Sequence, residues 1–409
     1  MLKHTVTHLQ PYIPEKPLAD LAQERALPHI VRMSANENPF GTSDKVQTAI
    51  KNWDFTQSRD YPDGNASRLR SAVAAELGVT ESQLVFGNGL DEIIELIART
   101  FLEAGDEVVE PWPTFSEYQL HAQIEGAKVV NVPVQATTGA FDLEALAQAI
   151  TPKTKLLWLC NPNNPTGTLL SLTELKQFLQ QVPPSVLVLI DEAYIEFTDD
   201  YPATSALKLL PRFANLVVLR TFSKIYGLAN FRVGFAVVPE QLAATMQSVR
   251  LPYNLSSVAQ LAAFTALGDQ TFVQTTREQV RQAREDWERF LTKAGLPHYQ
   301  SQTNFQFFQA PQKQAAALKE QLLNHGFLVR DGLKPGWLRI TFGTTAQNIA
   351  VQQIMTAFQQ AKKIATTNPI RPFQACASPP GDQMLIDLPI FSTLLLSASL
   401  RSRDDISDN

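Results

Sequence analysis

Seven short apolar runs, at residues 84–86, 107–110, 128–132, 156–160, 186–190, 216–219 and 235–238, alternate with longer stretches whose apolar residues recur at helical spacing. No other feature constrains the chain as much. The runs are too short for helices, rich in Val and Leu, and several are apolar on both faces, so they need cover above and below. A parallel sheet between two layers of helices supplies it. The intervening DEIIELIARTFL, FDLEALAQAI and SLTELKQFLQ each open on an Asp or a Ser/Thr suited to an N-cap. Strands and helices in alternation predict an α/β fold with an open sheet of about seven strands.

Past residue 252 the pattern changes. A long helical stretch around 256–291 leads to short strands at 305–308 and 337–342, which predicts a smaller α+β domain joined by the N-terminal segment. The expected division is an N-terminal arm at 1–35, a large domain at 36–250, a small domain at 251–364 and a tail at 365–409 of mixed prolines, small residues and charges. No internal repeat is visible.

Composition narrows the partners. The 35 basic and 40 acidic residues are spread without long blocks, to a net charge of -5, so the electrostatic footprint of a nucleic-acid or membrane-surface protein is missing. No run reaches the about 20 apolar residues of a membrane helix, and the first residues lack a signal-peptide core. Two cysteines, Cys160 and Cys376, in 409 residues fit a reducing, cytoplasmic setting. Six histidines are scattered without ligand spacing, so no metal site is expected.

Open α/β sheets bind ligands beyond the carboxyl ends of their strands, so the loops there carry the chemistry. After 84–86, Gly87-Asn88-Gly89-Leu90-Asp91-Glu92 opens a helix whose free N–H groups suit an anion. Glu92 stands where a dinucleotide fingerprint needs its third glycine, so NAD is not indicated. After 156–160, NPNNPTG is a rigid turn able to hold an asparagine amide in place. After 186–190, Asp191 ends a strand that reads as buried; it is a helix N-cap or a carboxylate awaiting a cationic partner. After 216–219, Lys224 lies beside Ser223, eight residues before Arg232. Such a lysine binds phosphate or traps a carbonyl as a Schiff base, unless it is a solvated surface residue. Together an anion cradle, a fixed amide, a buried acid and a lysine are the parts that hold pyridoxal phosphate.

NPNNPTG, DEAY and RTFSKxxGLAxxRVGF, in this order, resemble the fold type I aminotransferases, and most closely the histidinol-phosphate aminotransferases. SANENPFG at 34–41, RDYPDG at 59–64, GNGLDE, PYNLSSVAQ at 252–260 and WLRITFGT at 337–344 agree, so the likeness runs from about residue 12 to 363. It implies a large, mostly parallel seven-stranded domain with a smaller α+β domain, and transfer of an amino group from histidinol phosphate to 2-oxoglutarate. It makes Lys224 the Schiff-base lysine and proton shuttle, Asp191 the partner of the pyridine nitrogen, and Asn164 and Tyr194 donors to the ring's phenolic oxygen. Ser223, Arg232 and the backbone of Leu90 and Asp91 would hold the phosphate, with Thr221 nearby. Tyr61 would reach the cofactor of a second subunit, implying a homodimer with shared sites. Arg339 would bind the carboxylate of glutamate, with Arg330 a second anion contact and Asn36 in the substrate pocket.

Phe115 departs from the pattern, standing where many relatives have a tyrosine over the cofactor ring; stacking survives without the hydroxyl. Aromatic amino-acid aminotransferases and pyridoxal-phosphate decarboxylases of phosphorylated amino acids share every motif and stay open. A binding protein without chemistry is the rival of another class, opposed by intact Lys224, Asp191 and Arg232. Cys160 is expected to be a packed thiol, and Trp112 and Trp337 to be core aromatics.

Overall fold

The computed structural model describes residues 15–367, with 2, 4–7 and 9 of the N-terminal segment; the segment read as a tail lies, from 368 onward, outside the described residues. Eleven strands are β1 (Val31–Arg32), β2 (Leu84–Asn88), β3 (Glu107–Trp112), β4 (Lys128–Pro133), β5 (Thr154–Cys160), β6 (Leu187–Asp191), β7 (Leu216–Thr221), β8 (Val233–Val237), β9 (Phe305–Gln309), β10 (Phe327–Leu328) and β11 (Trp337–Thr341). Strands β2 to β8 are the seven expected runs and form one sheet in the order β2-β8-β7-β6-β5-β3-β4. The pairs β3–β4, β3–β5, β5–β6 and β6–β7 are parallel, whereas β8 runs against both its neighbours, β2 and β7.

The sheet is covered on both faces, as its composition requires. Along β5, Leu156, Trp158 and Cys160 point into one apolar cluster and Leu157 and Leu159 into the other, because alternate side chains leave opposite faces of a strand. Each leucine so enclosed contributes about 1.5–3 kcal/mol by leaving water. The helix Gly89–Phe101 seals the first face with Ile93, Ile94 and Ile97, all fully buried.

Local chemistry sets the helix starts. Asp142 caps the helix Leu143–Gln148 by accepting from the Ala145 N–H, and Ser171 forms a capping box with Glu174. The helix after β2 is different: its cap position is Asn88, without a side-chain bond, and Asp91 lies inside the first turn rather than at the expected cap. The helical stretch expected around 256–291 is two helices, Ser257–Leu267 and Gln270–Ala294, parted at Gly268 and Asp269.

Two small sheets complete the body. β1 pairs in parallel with β10, and β9 with β11 antiparallel. The Thr341 N–H donates to the Met33 carbonyl at 2.8 Å, tying the segment after β1 to β11. Trp337 is buried against Tyr299, as expected of a core aromatic. Trp112, by contrast, is 47% exposed; it is the last residue of β3, at the rim of the sheet, and is not a core aromatic.

Candidate active site

Reversal of one strand assembles the site. Because β8 is antiparallel, its beginning rather than its end lies at the carboxyl edge of the other strands, with Val233 opposite Asn88 and Gly234 opposite Thr221. Arg232, the residue before β8, therefore meets the helix start at Gly89. A cavity of about 550 Å³ opens at this edge, within the size range of cofactor pockets. Its wall includes Leu90 and Asp91 after β2, Phe115 after β3 and Asn164 after β5. Asp191 and Tyr194 at the end of β6, and Thr221, Ser223, Lys224 and Arg232 around β7 and β8, complete it.

The anion end is built on Gly89, whose φ of +77° suits glycine. A Cβ there would stand 2.2 Å from Arg232 Nη2, so the guanidinium lies flat on the space the missing side chain leaves. Arg232 is held by the Asp91 carboxylate at 3.1 Å and by the Ala229 carbonyl at 3.2 Å. Thr221 Oγ1 accepts the Ser223 N–H at 3.0 Å. Arg232, Ser223 and the first residues of the helix, Leu90 and Asp91, all line the cavity, a donor set suited to a phosphate.

The wall also carries a buried acid. Asp191 is buried, and its Oδ1 accepts the Ala193 N–H at 3.0 Å while Oδ2 accepts the Tyr118 hydroxyl at 2.6 Å. Burial raises its pKa to about 6 against the opposing pull of these donors. Lys224 is half-buried, not a solvated surface lysine, and its Nζ donates to the Ala35 carbonyl at 3.2 Å. Burial first, and the Arg339 charge second, depress its pKa to about 8.

The NPNNPTG turn is fixed by its own amides. Asn161 accepts from the Leu170 N–H at 2.7 Å, and Asn163 donates to the Pro113 carbonyl at 3.1 Å and to Thr166 at 3.0 Å. Asn164 is left facing the cavity, where its Oδ1 accepts from Arg339 Nη1 at 2.6 Å. The same guanidinium donates to the Ser34 carbonyl, and its buried Nε has no protein partner. Asn36 donates to the Tyr194 hydroxyl at 3.0 Å. Asn36 and Arg339 thus touch lining residues without lining the cavity themselves. Arg330 reaches it only through Arg339, with which it exchanges backbone hydrogen bonds. Tyr61 stands apart, 83% exposed and stacked on Tyr253. Tyr118 was not singled out in the sequence, although it lies three residues beyond Phe115 on a helix. Cys160 is a packed thiol at the cavity wall whose pKa burial pushes up.

Among the described residues no cluster of His, Cys, Asp and Glu could hold a metal ion. Pyridoxal phosphate fits the donor set: an arginine packed where a Cβ at Gly89 would stand, a buried acid for a ring nitrogen, an aromatic side chain at Phe115 and an amine in the same wall.

The chain is similar to known proteins over most of its length. The family model for class I and II aminotransferases matches residues 28–352. A histidinol-phosphate aminotransferase of Lactiplantibacillus plantarum is 51% identical over 358 residues, covering 88% of this chain and all of that protein. The crystal structure of histidinol-phosphate aminotransferase from Sinorhizobium meliloti in complex with pyridoxal-5'-phosphate superimposes with a TM-score of 0.78 at 26% identity, covering 87% of this chain and 98% of that one. L-threonine-O-3-phosphate decarboxylase from Porphyromonas gingivalis does so with a TM-score of 0.71 at 25% identity, covering 81% and 100%. The sheet and the two smaller ones are therefore those of fold type I, and the chain belongs to the class I and II aminotransferases, within the histidinol-phosphate aminotransferase family.

Proposed function

We propose that the protein is a pyridoxal-phosphate aminotransferase that passes the amino group of histidinol phosphate to 2-oxoglutarate, a step of histidine biosynthesis, in the cytoplasm. The observation that carries this reading is the single cavity shared by Lys224, Asp191 and Arg232. When bound, pyridoxal phosphate supplies an aldehyde that captures amines and a ring that accepts electrons.

The chain's own groups do the rest. Ser223, Arg232 and the N–H groups of Leu90 and Asp91 hold the phosphate, with Thr221 buttressing Ser223. Asp191 pairs with the ring nitrogen and keeps a proton there. Asn164 and Tyr194 hydrogen-bond the phenolic oxygen, and Phe115 covers a ring face. Lys224 would hold the cofactor through its aldehyde carbon, and its amine, when free, would move the proton at the substrate Cα, a task suited to a pKa lowered toward neutrality. Arg339 holds Asn164 and supplies positive charge for the substrate's anionic end, with Arg330 adding to it and Asn36 orienting Tyr194. A planar guanidinium suits both a carboxylate and a phosphate, which the two substrates present in turn. In this reading residues 36–250 serve the cofactor, and residues 251–364 with the N-terminal arm serve the substrate. Tyr61 completes the site of a second subunit in a homodimer.

A half-reaction panel tests it. Protein loaded with pyridoxal phosphate should gain a visible absorbance band, and borohydride should fix the cofactor to Lys224. Histidinol phosphate should discharge that band faster than phenylalanine, aspartate or phosphothreonine. Preference for phenylalanine would make the protein an aromatic aminotransferase. Release of carbon dioxide from phosphothreonine would make it a decarboxylase, and absence of any band would end the enzyme reading.

A further inference from the structure

Asp191 is gripped from outside the cavity. Tyr118 sits on the helix Ser116–Ile124, fully buried and clear of the cavity wall, with its ring stacked on Trp158 of β5 at 4.3 Å between centroids and 6° between planes. Trp158 fixes the plane of the phenol ring on one face, and the hydroxyl meets Asp191 Oδ2 at 2.6 Å. The Ala193 N–H occupies Oδ1 on the other side. The carboxylate plane is thus fixed by two donors before any ligand arrives.

We propose that Tyr118 is a positioning residue that holds Asp191 ionised and oriented for a protonated pyridine nitrogen, so that cofactor affinity depends on a hydroxyl that never touches the cofactor. The inference rests on the pyridoxal-phosphate reading above. Its physical basis is that a donor to a carboxylate stabilises the ionised form and leaves the protonated form without that gain. Burial alone would favour the neutral acid, which could no longer pair with a ring N–H. The other groups acting on Asp191 are Asp91 from the helix after β2, which opposes ionisation, and Lys224 from the loop after β7, which favours it. The Cys160 thiol of β5 and the Tyr194 hydroxyl lie close by and stay neutral, their pKa values pushed up by burial. The Tyr118 phenol is likewise held far above its ordinary range by burial and by Asp191 itself, so it donates rather than ionises.

The test uses the full-length chain. Isotope-edited infrared spectroscopy follows the Asp191 carboxyl, identified by its loss in Asp191→Asn, while pyridoxal phosphate affinity is measured from about pH 5 to about pH 9. Tyr118→Phe, which keeps the ring and its stacking, should raise the Asp191 titration by about one pH unit, a tenfold change in acidity. Affinity should fall about tenfold near pH 5 and about twofold near pH 7, and converge with wild type near pH 9, where Asp191 is ionised in both. Trp158→Phe, which keeps the hydroxyl, should leave the titration in place. A fluorinated tyrosine at position 118 keeps the shape and sharpens the donor, so it should move Asp191 the other way even if the phenylalanine variant folds poorly. An unmoved Asp191, or an affinity loss equal at every pH, would reduce Tyr118 to packing and overturn the proposal. Wild-type protein that binds no pyridoxal phosphate would instead defeat the functional reading, and the infrared titration would still decide whether the hydroxyl controls Asp191.

Discussion

At the scale of single residues, the wall of the cavity sets function against stability. Lys224 keeps an amine in a half-buried place beside the Arg339 charge, and its pKa falls from 10.5 to about 8. The sign of the stability effect follows. Between about pH 8 and about pH 10 the unfolded chain holds a proton on this lysine that the folded protein has released, so stability of the cofactor-free protein rises with pH across that window. Lys224→Met should flatten this rise and leave the protein at least as stable as wild type near pH 7, as measured by denaturant unfolding at both ends of the window; an unchanged slope would show that the amine is fully solvated. Such residues are legible because an open α/β sheet restricts ligands to the loops at one edge. Lys224, Asp191 and Asn164 each follow an apolar run. Tyr118 escaped because helical spacing marks it only as buried. Its partner lies 73 residues away, and no local pattern encodes that meeting.

At the scale of elements, the apolar runs announce strands without announcing direction. β8 reads like the other six strands, and only its antiparallel pairing with β2 and β7 explains why Arg232 shares an edge with Gly89. A second feature of this region is the ion cluster behind the cavity wall. Arg220, on β7, donates to Glu192 at 2.8 Å, to Glu196 at 2.9 Å and to Ser205 at 2.9 Å, all buried. Glu192 directly follows Asp191 and Arg220 directly precedes Thr221, so the cluster clamps β6 to β7 where the site begins. Burial pushes the Glu196 pKa up and the Arg220 charge opposes it. Arg220→Met should strand two carboxylates in the interior and cost about 3–5 kcal/mol of unfolding free energy at neutral pH, less under acid conditions where the carboxyls take up protons. A denaturant midpoint within about 1 kcal/mol of wild type would mean that water reaches the cluster. The break between the helices Ser257–Leu267 and Gln270–Ala294 was hidden for a related reason: apolar spacing continues across Gly268 and Asp269, and only the Gly-Asp pair marks the stop.

At the scale of the whole molecule, segments far apart in the chain join through pairings too short to carry a sequence period. β1 and β10 have two residues each, so only their hydrogen bonds reveal that the segment before the cofactor loops belongs with the segment after them. One part of the proposed site is still remote from the cavity. Tyr61 is 83% exposed and stacked on Tyr253, itself half-exposed, with Leu251 also bare to solvent. The proposed shared-site homodimer would account for this placement, since exposed aromatics of this kind suit an interface. Complementation separates sharing from service at home. Lys224→Ala and Tyr61→Ala should each be inactive or nearly so alone. After mixing and subunit exchange, about half of the dimers are hybrids, and in each the Tyr61→Ala subunit supplies Lys224 while its partner supplies Tyr61. One intact site per hybrid predicts recovery to about a quarter of wild-type activity. If Tyr61 served its own chain, the hybrid would hold no complete site, and the mixture would stay as inactive as its parts even when subunit exchange is verified by tagged chains.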